Sequence, residues 1–559
     1  MAHFGLSNKH RSFILIPLLV VGCAIVGGIY GPNAQVASAA GGDDEISTSV
    51  KDFTRLYSTV EQNFADPVSA DRAIYGTGTG GDGGAITGML RTLDPHSNFF
   101  DPTALKAMRE EQSGHYAGVG MRVEGKANTA GVMQTIVVEP FVGSPAYKAG
   151  LLPNDVIVNV NGKKTDGLSS TEVADLLKGQ KGTPVRIEVQ RGEGAEDVVV
   201  NLVRDEIHRS SVNAAVMLKP GIGYVELEEF IETTGDDFAS ALKSLNEDSL
   251  QGLVLDLRGN PGGLLTDAVA VAGHLLPKGS EIVSHHGRAS QEKSYKATEG
   301  NHGRNYPIVV LVNNRSASAS EIVSGALQDH DRAWILGDNT FGKGLVQTVY
   351  PLSENTGLAL TTAKYYTPSG RLIQRDYSSV SFFDYYYRTN TAARNPADVK
   401  MTDSGRTVYG GGGISPDDKF DTPRSACDPE GRGIPTCWGP LETELYLKYQ
   451  FQMYTKHFFS THKGALPAGW NVDAAQMTDF HNWLQAQKFT FTDAEFTKEN
   501  DQLRRRLQGE IYKTAFNLDE STKYEIVTDP EVVAAIADLP KAQALLNSAS
   551  KIRAERAQK

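Results

Sequence analysis

Apolar residues recur three or four apart over residues 45–65, at Val50, Phe53, Leu56, Tyr57, Val60 and Phe64, and predict an amphipathic helix. From Gly114 to about Glu206 the texture turns β-rich. Short runs at 120–123, 135–138, 156–160 and 185–190 predict strands, and Asn161-Gly162 predicts a hairpin turn. Val173, Leu176 and Leu177 mark one helix over residues 170–178. From Gly221 to about Ala363 strands and helices alternate. Strands are expected at 224–227, 252–257 and 308–312, with helices at 236–245, 265–276 and 320–328. The central strands are apolar at nearly every position, as strands covered on both faces are, so this stretch predicts an α/β core. Beyond about 440 the pattern is helical. Leu503, Leu507 and Ile511 follow four-residue spacing beside a solvated Arg504-Arg505-Arg506, and Asp529-Pro530 starts a further helix as cap and first residue.

A chain of 559 residues is too long for one core and implies several domains. The formal charge of −12, with no interleaving of Lys/Arg and aromatics, argues against nucleic acid as a partner. At the N-terminus Lys9, His10 and Arg11 precede an apolar run over residues 13–29 and a small-residue site, Ala37-Ser38-Ala39-Ala40. That order reads as an export signal. The run is long for a signal and short for a span, so a cleaved signal and a retained membrane anchor both stand open. Either places the chain in the periplasm, free or anchored to the inner membrane. Of three cysteines, Cys23 leaves with the signal. Cys427 and Cys437 then suit a disulfide in an oxidising compartment, against the plainer reading of two free thiols. The glycine-rich stretch 76–84 lacks the Lys-Ser/Thr of a phosphate-binding loop and reads as a surface loop.

Three segments carry chemistry. Asn314-Arg315-Ser316-Ala317-Ser318-Ala319-Ser320-Glu321 follows a buried strand and opens a helix. Free N–H groups there favour developing negative charge. Ser318 and Glu321 also fit a plain capping box, and Ser316 and Ser320 compete with Ser318 as nucleophile. Thr340-Phe341-Gly342-Lys343-Gly344-Leu345-Val346-Gln347 puts a lysine among apolar neighbours. Burial there would lower its pKa, as a general base requires. Read as a strand, the segment puts Lys343, Leu345 and Gln347 on one face, with Gln347 able to hold the amine. Leu257-Arg258-Gly259-Asn260-Pro261-Gly262-Gly263 follows another buried strand. The Gly262 amide could form one half of an oxyanion hole and the Ala319 amide the other.

Together these segments resemble the C-terminal processing peptidases, also called tail-specific proteases. Gly143-Ser144-Pro145-Ala146, Leu93-Asp94-Pro95-His96-Ser97, the run Tyr365-Tyr366-Thr367-Pro368-Ser369-Gly370-Arg371 and Gly412-Gly413-Ile414-Ser415-Pro416-Asp417 extend the likeness over residues 50–420. The resemblance implies a Ser-Lys dyad in a ClpP/crotonase-like α/β core. Ser318 would be the nucleophile, Lys343 the base and Gln347 its positioner, with no metal or cofactor. It implies that the β-rich stretch is a PDZ domain. Tyr116-Ala117-Gly118-Val119-Gly120 would receive a terminal carboxylate, and Val173, Leu176 and Leu177 would line an apolar groove. The domains expected are a signal or anchor at 1–39, a helical region at 40–111, the PDZ domain at 112–206, the peptidase core at 207–425 and a helical region of open role at 426–559. Expected partners are proteins or peptides with free apolar C-termini, and a homo-oligomer is open. Two rivals are a non-catalytic PDZ scaffold and an acyl-CoA hydratase-like enzyme. The intact Ser318, Lys343 and Gln347 weigh against the first, and the export signal, PDZ domain and lysine against the second.

Overall fold

The computed structural model describes residues 43–557 apart from 77–82, 128–131, 142, 192–196, 388–397, 421–438, 463–464, 468 and 517. The expected export signal, the Cys427–Cys437 bridge and most of the glycine-rich stretch lie outside the described residues. The chain divides into two units, residues 1–73 and 74–559. The first holds α1 (Asp43–Asn63), on which Val50, Phe53, Leu56 and Val60 are exposed. Among the described residues no helix is long and apolar enough to cross a membrane.

In the second unit, β1 (Met121–Ala127), β2 (Met133–Pro140), β3 (Val156–Val160), β4 (Pro184–Gln190) and β5 (Asp197–Val203) form an antiparallel sheet in that order. Helix α2 (Ser170–Leu177), opened by a capping box of Ser169 and Glu172, packs on it. Here an expectation needs correcting. Val173 and Leu177 are buried in the domain core with Val137, Ile157 and Ile187, and only Leu176 stays part-exposed at the margin. An eight-residue helix on a sheet turns its most apolar side to the sheet, leaving little of it for a groove.

The chain continues through β6 (Val212–Lys219), β7 (Ile222–Leu227), α3 (Thr234–Ser244), β8 (Gly252–Asp256), α4 (Leu265–Leu275), β9 (Glu281–His286), β10 (Lys293–Lys296), β11 (Ile308–Val312), α5 (Ala319–Asp329), β12 (Trp334–Gly337), β13 (Leu345–Pro351), β14 (Gly357–Tyr366), α6 (Phe382–Tyr387) and β15 (Asp418–Lys419). Strands β6-β7-β8-β11-β12-β15 form one sheet, parallel from β7 onward. Leu253 and Leu255 point to one face, under α3, α4 and α5. Val254, Val309 and Leu311 point to the other. A second, antiparallel sheet centres on β14, which pairs with β13, β9 and residues Asn98–Phe100.

Helices α7 (Pro440–Leu447), α8 (Gln450–Thr461), α9 (Ala474–Ala486), α10 (Asp493–Lys498) and α11 (Asn500–Ala515) enclose their own core, which includes Phe451, Phe480, Leu503, Leu507 and Ile511. Helix α12 (Leu518–Thr528) leads to α13 (Pro530–Ala557). Val532, Ala535, Leu539 and Ala542 of α13 bury the second face of the parallel sheet. The last helix of the region whose role the sequence left open is therefore one layer of the α/β core.

Candidate active site

Two loops at the carboxyl ends of β8 and β11 are stitched together by small polar side chains. Asn260 is buried; its Nδ2 donates to Leu227 O (2.8 Å), and its carbonyl accepts from the Ala317 amide (3.0 Å). Ser316 Oγ donates to Leu257 O at 2.7 Å and Ser320 Oγ to Asn260 O at 3.0 Å. Both hydroxyls are buried and engaged. Ser318, half-buried at the N-terminus of α5, donates its Oγ to no partner among the described residues. Its backbone lies at φ 54°, ψ −111°. A non-glycine residue in such a region costs about 1–3 kcal/mol and persists only where its surroundings fix it, as the stitching does here.

Lys343 lies in the extended approach to β13, not within the strand. Burial pushes its amine below the ordinary lysine value, against the opposing pull of Glu321 and Asp94. Among the described residues Nζ makes no hydrogen bond or ion pair, and it is not hydrogen-bonded to Ser318 Oγ. The expected contact with Gln347 is also not made. The Gln347 amide donates to Thr361 Oγ1 (3.3 Å) across the β13–β14 ladder, because the strand's cross-strand neighbour is nearer than the loop before it.

Glu321 joins the two segments, and the sequence reading gave it only the role of a cap. Its carboxylate is fully buried. Oε2 accepts from the amides of Ser318 (2.8 Å) and Lys343 (2.9 Å). Oε1 accepts from the Gly342 amide (2.7 Å) and Thr340 Oγ1 (2.5 Å). Burial pushes its pKa up to about 7, although all four donors act in the other direction. The buried Tyr365 hydroxyl reaches the carbonyls of both Ser318 (3.1 Å) and Lys343. Thr340 Oγ1 accepts from the Ile414 amide, bringing in the glycine turn at 410–413. The motifs around Tyr365 and Ile414 were visible in the sequence, but their contacts with this site were not.

A ring cluster flanks Lys343. His96 shares its two ring nitrogens with Tyr385 Oη (2.9 Å) and Tyr386 Oη (3.2 Å). Burial, with the charges of Lys343 and Arg375, holds its pKa down at about 3, so it is a neutral neighbour of the lysine. Asp94 accepts from the amides of His96 and Ser97 and so shapes the turn. Arg375 stacks on Phe341.

On the acceptor side, the Ala319 amide is the first of α5 and donates to nothing among the described residues. The Gly262 amide differs from expectation, since it donates to Asn260 Oδ1 at 2.9 Å and is not free. The next amide, that of Gly263, has no partner among the described residues. Gly262 instead gives closeness, as a Cβ there would meet Ala317 O at 2.6 Å, Ser318 Cβ at 2.7 Å and Ala319 N at 2.8 Å.

In the β-rich domain the predicted loop is shorter than expected: Tyr116, Ala117 and Gly118 lie in a short strand, His115–Gly118, paired antiparallel with Asp205–His208, and only Val119 and Gly120 form the loop. The carbonyls of Ala117, Val119 and Gly120 accept from Gly179, Ala146 and Phe141. Ser144 Oγ also donates to Gly120 O, at 2.7 Å. With its carbonyls drawn inward, the loop keeps the Val119 and Gly120 amides without partners among the described residues. Gly118 is closely covered by the Tyr116 ring.

Residues 221–378 match peptidase family S41, and residues 136–191 match the PDZ domain. The chain is 33 % identical over 366 residues to carboxy-terminal processing protease CtpA of Bacillus subtilis, covering 65 % of this chain and 74 % of that one. The chain belongs to the carboxy-terminal processing peptidases. The Bartonella bacilliformis carboxy-terminal-processing protease is 44 % identical over 295 residues, 52 % of this chain and 66 % of its own length. A solved photosystem II D1 C-terminal processing protease is 32 % identical, covering 60 % of this chain and 81 % of that one, with a TM-score of 0.31. These peptidases are serine-type enzymes that carry a PDZ domain, and the family match at 221–378 includes Ser318, Glu321 and Lys343.

Proposed function

We propose that the chain is an exported endopeptidase that holds the free C-terminus of a protein substrate in its PDZ domain and cuts with Ser318 and Lys343 in a ClpP/crotonase-like core. One observation carries this reading: a single buried carboxylate, Glu321, binds the amides of both Ser318 and Lys343. A helix cap alone has no need of the second segment. Of the three candidate serines, Ser318 is the one whose hydroxyl is not already donated to a carbonyl.

On substrate binding the neutral Lys343 amine takes the Ser318 proton as Oγ attacks the scissile carbonyl. The oxyanion lies against the amides of Ala319 and Gly263. The C–N bond then breaks, the lysine ammonium returns its proton to the leaving amine, and water releases the acyl group by the same route. Gln347 is held by Thr361 in this structure, and Glu321 fixes the Lys343 backbone. In the PDZ domain the unpartnered Val119 and Gly120 amides suit a terminal carboxylate, and the apolar margin at Leu176 suits an apolar last residue. The basic, apolar and small-residue order of positions 9–40 supports export to the periplasm.

The test is labelling by a serine-reactive phosphonate together with peptide cleavage. Wild type should be modified at Ser318 alone, and Ser318→Ala and Lys343→Ala should fold but not cut. Lys343→Arg should be equally inactive, because a guanidinium stays charged. Cleavage by Lys343→Arg at the wild-type rate would remove lysine from the mechanism.

A further inference from the structure

The PDZ sheet has an open edge. Among the described residues strand β1 pairs only with β2, so its other side lacks a strand partner there. Which main-chain groups face that side follows from the register. The Val137 amide donates to Asp155 O (2.9 Å) and the Val137 carbonyl accepts from the Asn154 amide (2.8 Å), so both groups point away from β1. Val137 lies opposite Val123. The N–H and C=O of Val123 therefore face the open edge, and by the two-residue period so do those of Gly125.

Something from this same chain already stands there. Tyr449 Oη donates to Gly125 O in a long hydrogen bond of 3.4 Å. Tyr449 forms the corner between α7 and α8 with φ 55°, a left-handed conformation that a tyrosine adopts only when held. Lys513 of α11 pairs with Glu124 at 3.8 Å. Lys126 is half-buried beside Glu510, and burial lowers its pKa against the pull of Glu124 and Glu510. Glu510 is in turn held by Gln452 Nε2 at 3.1 Å. Two separate parts of the helical region, the α7–α8 corner and α11, thus converge on residues 124–126.

We propose that the C-terminal helical region is a built-in occupant of the far end of the tail-binding edge, with Tyr449 holding the acceptor that a long incoming tail would use. This rests on the tail-binding reading above. A carboxylate at the Val119 and Gly120 amides sets the tail antiparallel to β1. The third residue from the end then pairs with Val123 and the fifth with Gly125. A three-residue tail docks without touching Tyr449, whereas a longer extended tail must displace it. The helical region thereby sets how much of a tail is read.

The experiment uses the full chain carrying Ser318→Ala, so that nothing is cut, with and without Tyr449→Phe and Lys513→Ala. Fluorescently tagged peptides of three and eight residues, each ending in alanine, report binding by anisotropy. The paired substitution should tighten the eight-residue peptide about three- to tenfold, the value of one or two ordinary hydrogen bonds, and leave the three-residue peptide unchanged. No gain for the long peptide, or an equal gain for both, overturns the proposal. Peptides with amidated ends test the underlying reading separately: if acid and amide forms bind alike, tail reading itself fails. Hydrogen exchange then decides the cover independently of any peptide. The Gly125 amide should exchange at least threefold faster in the paired variant while the Val123 amide stays as it was, and an unchanged rate at Gly125 would overturn the cover.

Discussion

Glu321 shows how one side chain can satisfy a local rule and a long-range one together. As the third residue of α5 it caps the helix, and any sequence of the form S-x-x-E invites that reading. Its second duty, accepting from Gly342 and Lys343, fixes where Lys343 stands relative to Ser318. Glu321→Gln should therefore be severe for so small a change. An NH2 group in place of Oε2 would face the amides of Ser318 and Lys343, donor against donor. Two buried amides without acceptors cost about 2–6 kcal/mol, so thermal unfolding should drop by several degrees and turnover at least a hundredfold. Lys343 leads to a second expectation. Its pKa is lowered by burial, and only the neutral amine accepts a proton. The rate should thus rise with pH along a limb centred below the unperturbed value of about 10.4. A kcat/KM profile that stays flat to about pH 10, with the protein still folded, would speak against the lysine.

At the scale of elements, the site consists of strand ends and the loops that leave them. Gly262 lets the loop after β8 pass against the Ser318 turn, at φ 96° and with no room for a methyl group. Gly262→Ala should push the nucleophile out of place and lower turnover at least a hundredfold, while peptide binding by the remote PDZ loop stays as it was. Cleavage assays paired with anisotropy separate the two. Much of this layer was legible in the sequence. The apolar runs at 252–257 and 308–312 announced two-faced strands, and the glycines after them announced loops. What the sequence hid was contact between distant parts. Val173 and Leu177 have the spacing of any buried helix stripe, and nothing local says whether the sheet or a ligand takes it. The Gly262 amide looked free until Asn260, two residues earlier, turned its side chain onto it. Lys343 looked like part of a strand because β13 begins only two residues later.

At the largest scale, the C-terminal helices touch both the PDZ domain and the peptidase core. Arg258, in the glycine loop, donates to Asp256, and its Nη1 reaches Asp529 at 3.1 Å and Glu531 at 2.9 Å, at the start of α13. Burial pushes Glu531 up to about 7. A carboxyl whose folded pKa exceeds its unfolded value near 4.5 holds its proton longer in the folded state. Its contribution to stability is therefore lost as pH rises from about 4.5 to about 7. Glu531→Gln removes that dependence. The difference in unfolding midpoint between this variant and wild type should shift in the variant's favour between about pH 5 and pH 8, whatever its offset at either end. A constant difference would mean that the carboxyl titrates normally. Helix α13 has one more consequence, in time rather than space. Val254, Val309 and Leu311 have no cover until residues 530–557 arrive, and the ribosome adds these roughly 190 residues after Lys343, about ten to forty seconds later at ordinary rates of synthesis. During that interval a nascent chain holds Ser318, Glu321 and Lys343 but only one covered face of the sheet, so the fold around the proposed dyad is expected to close only once this helix has been made.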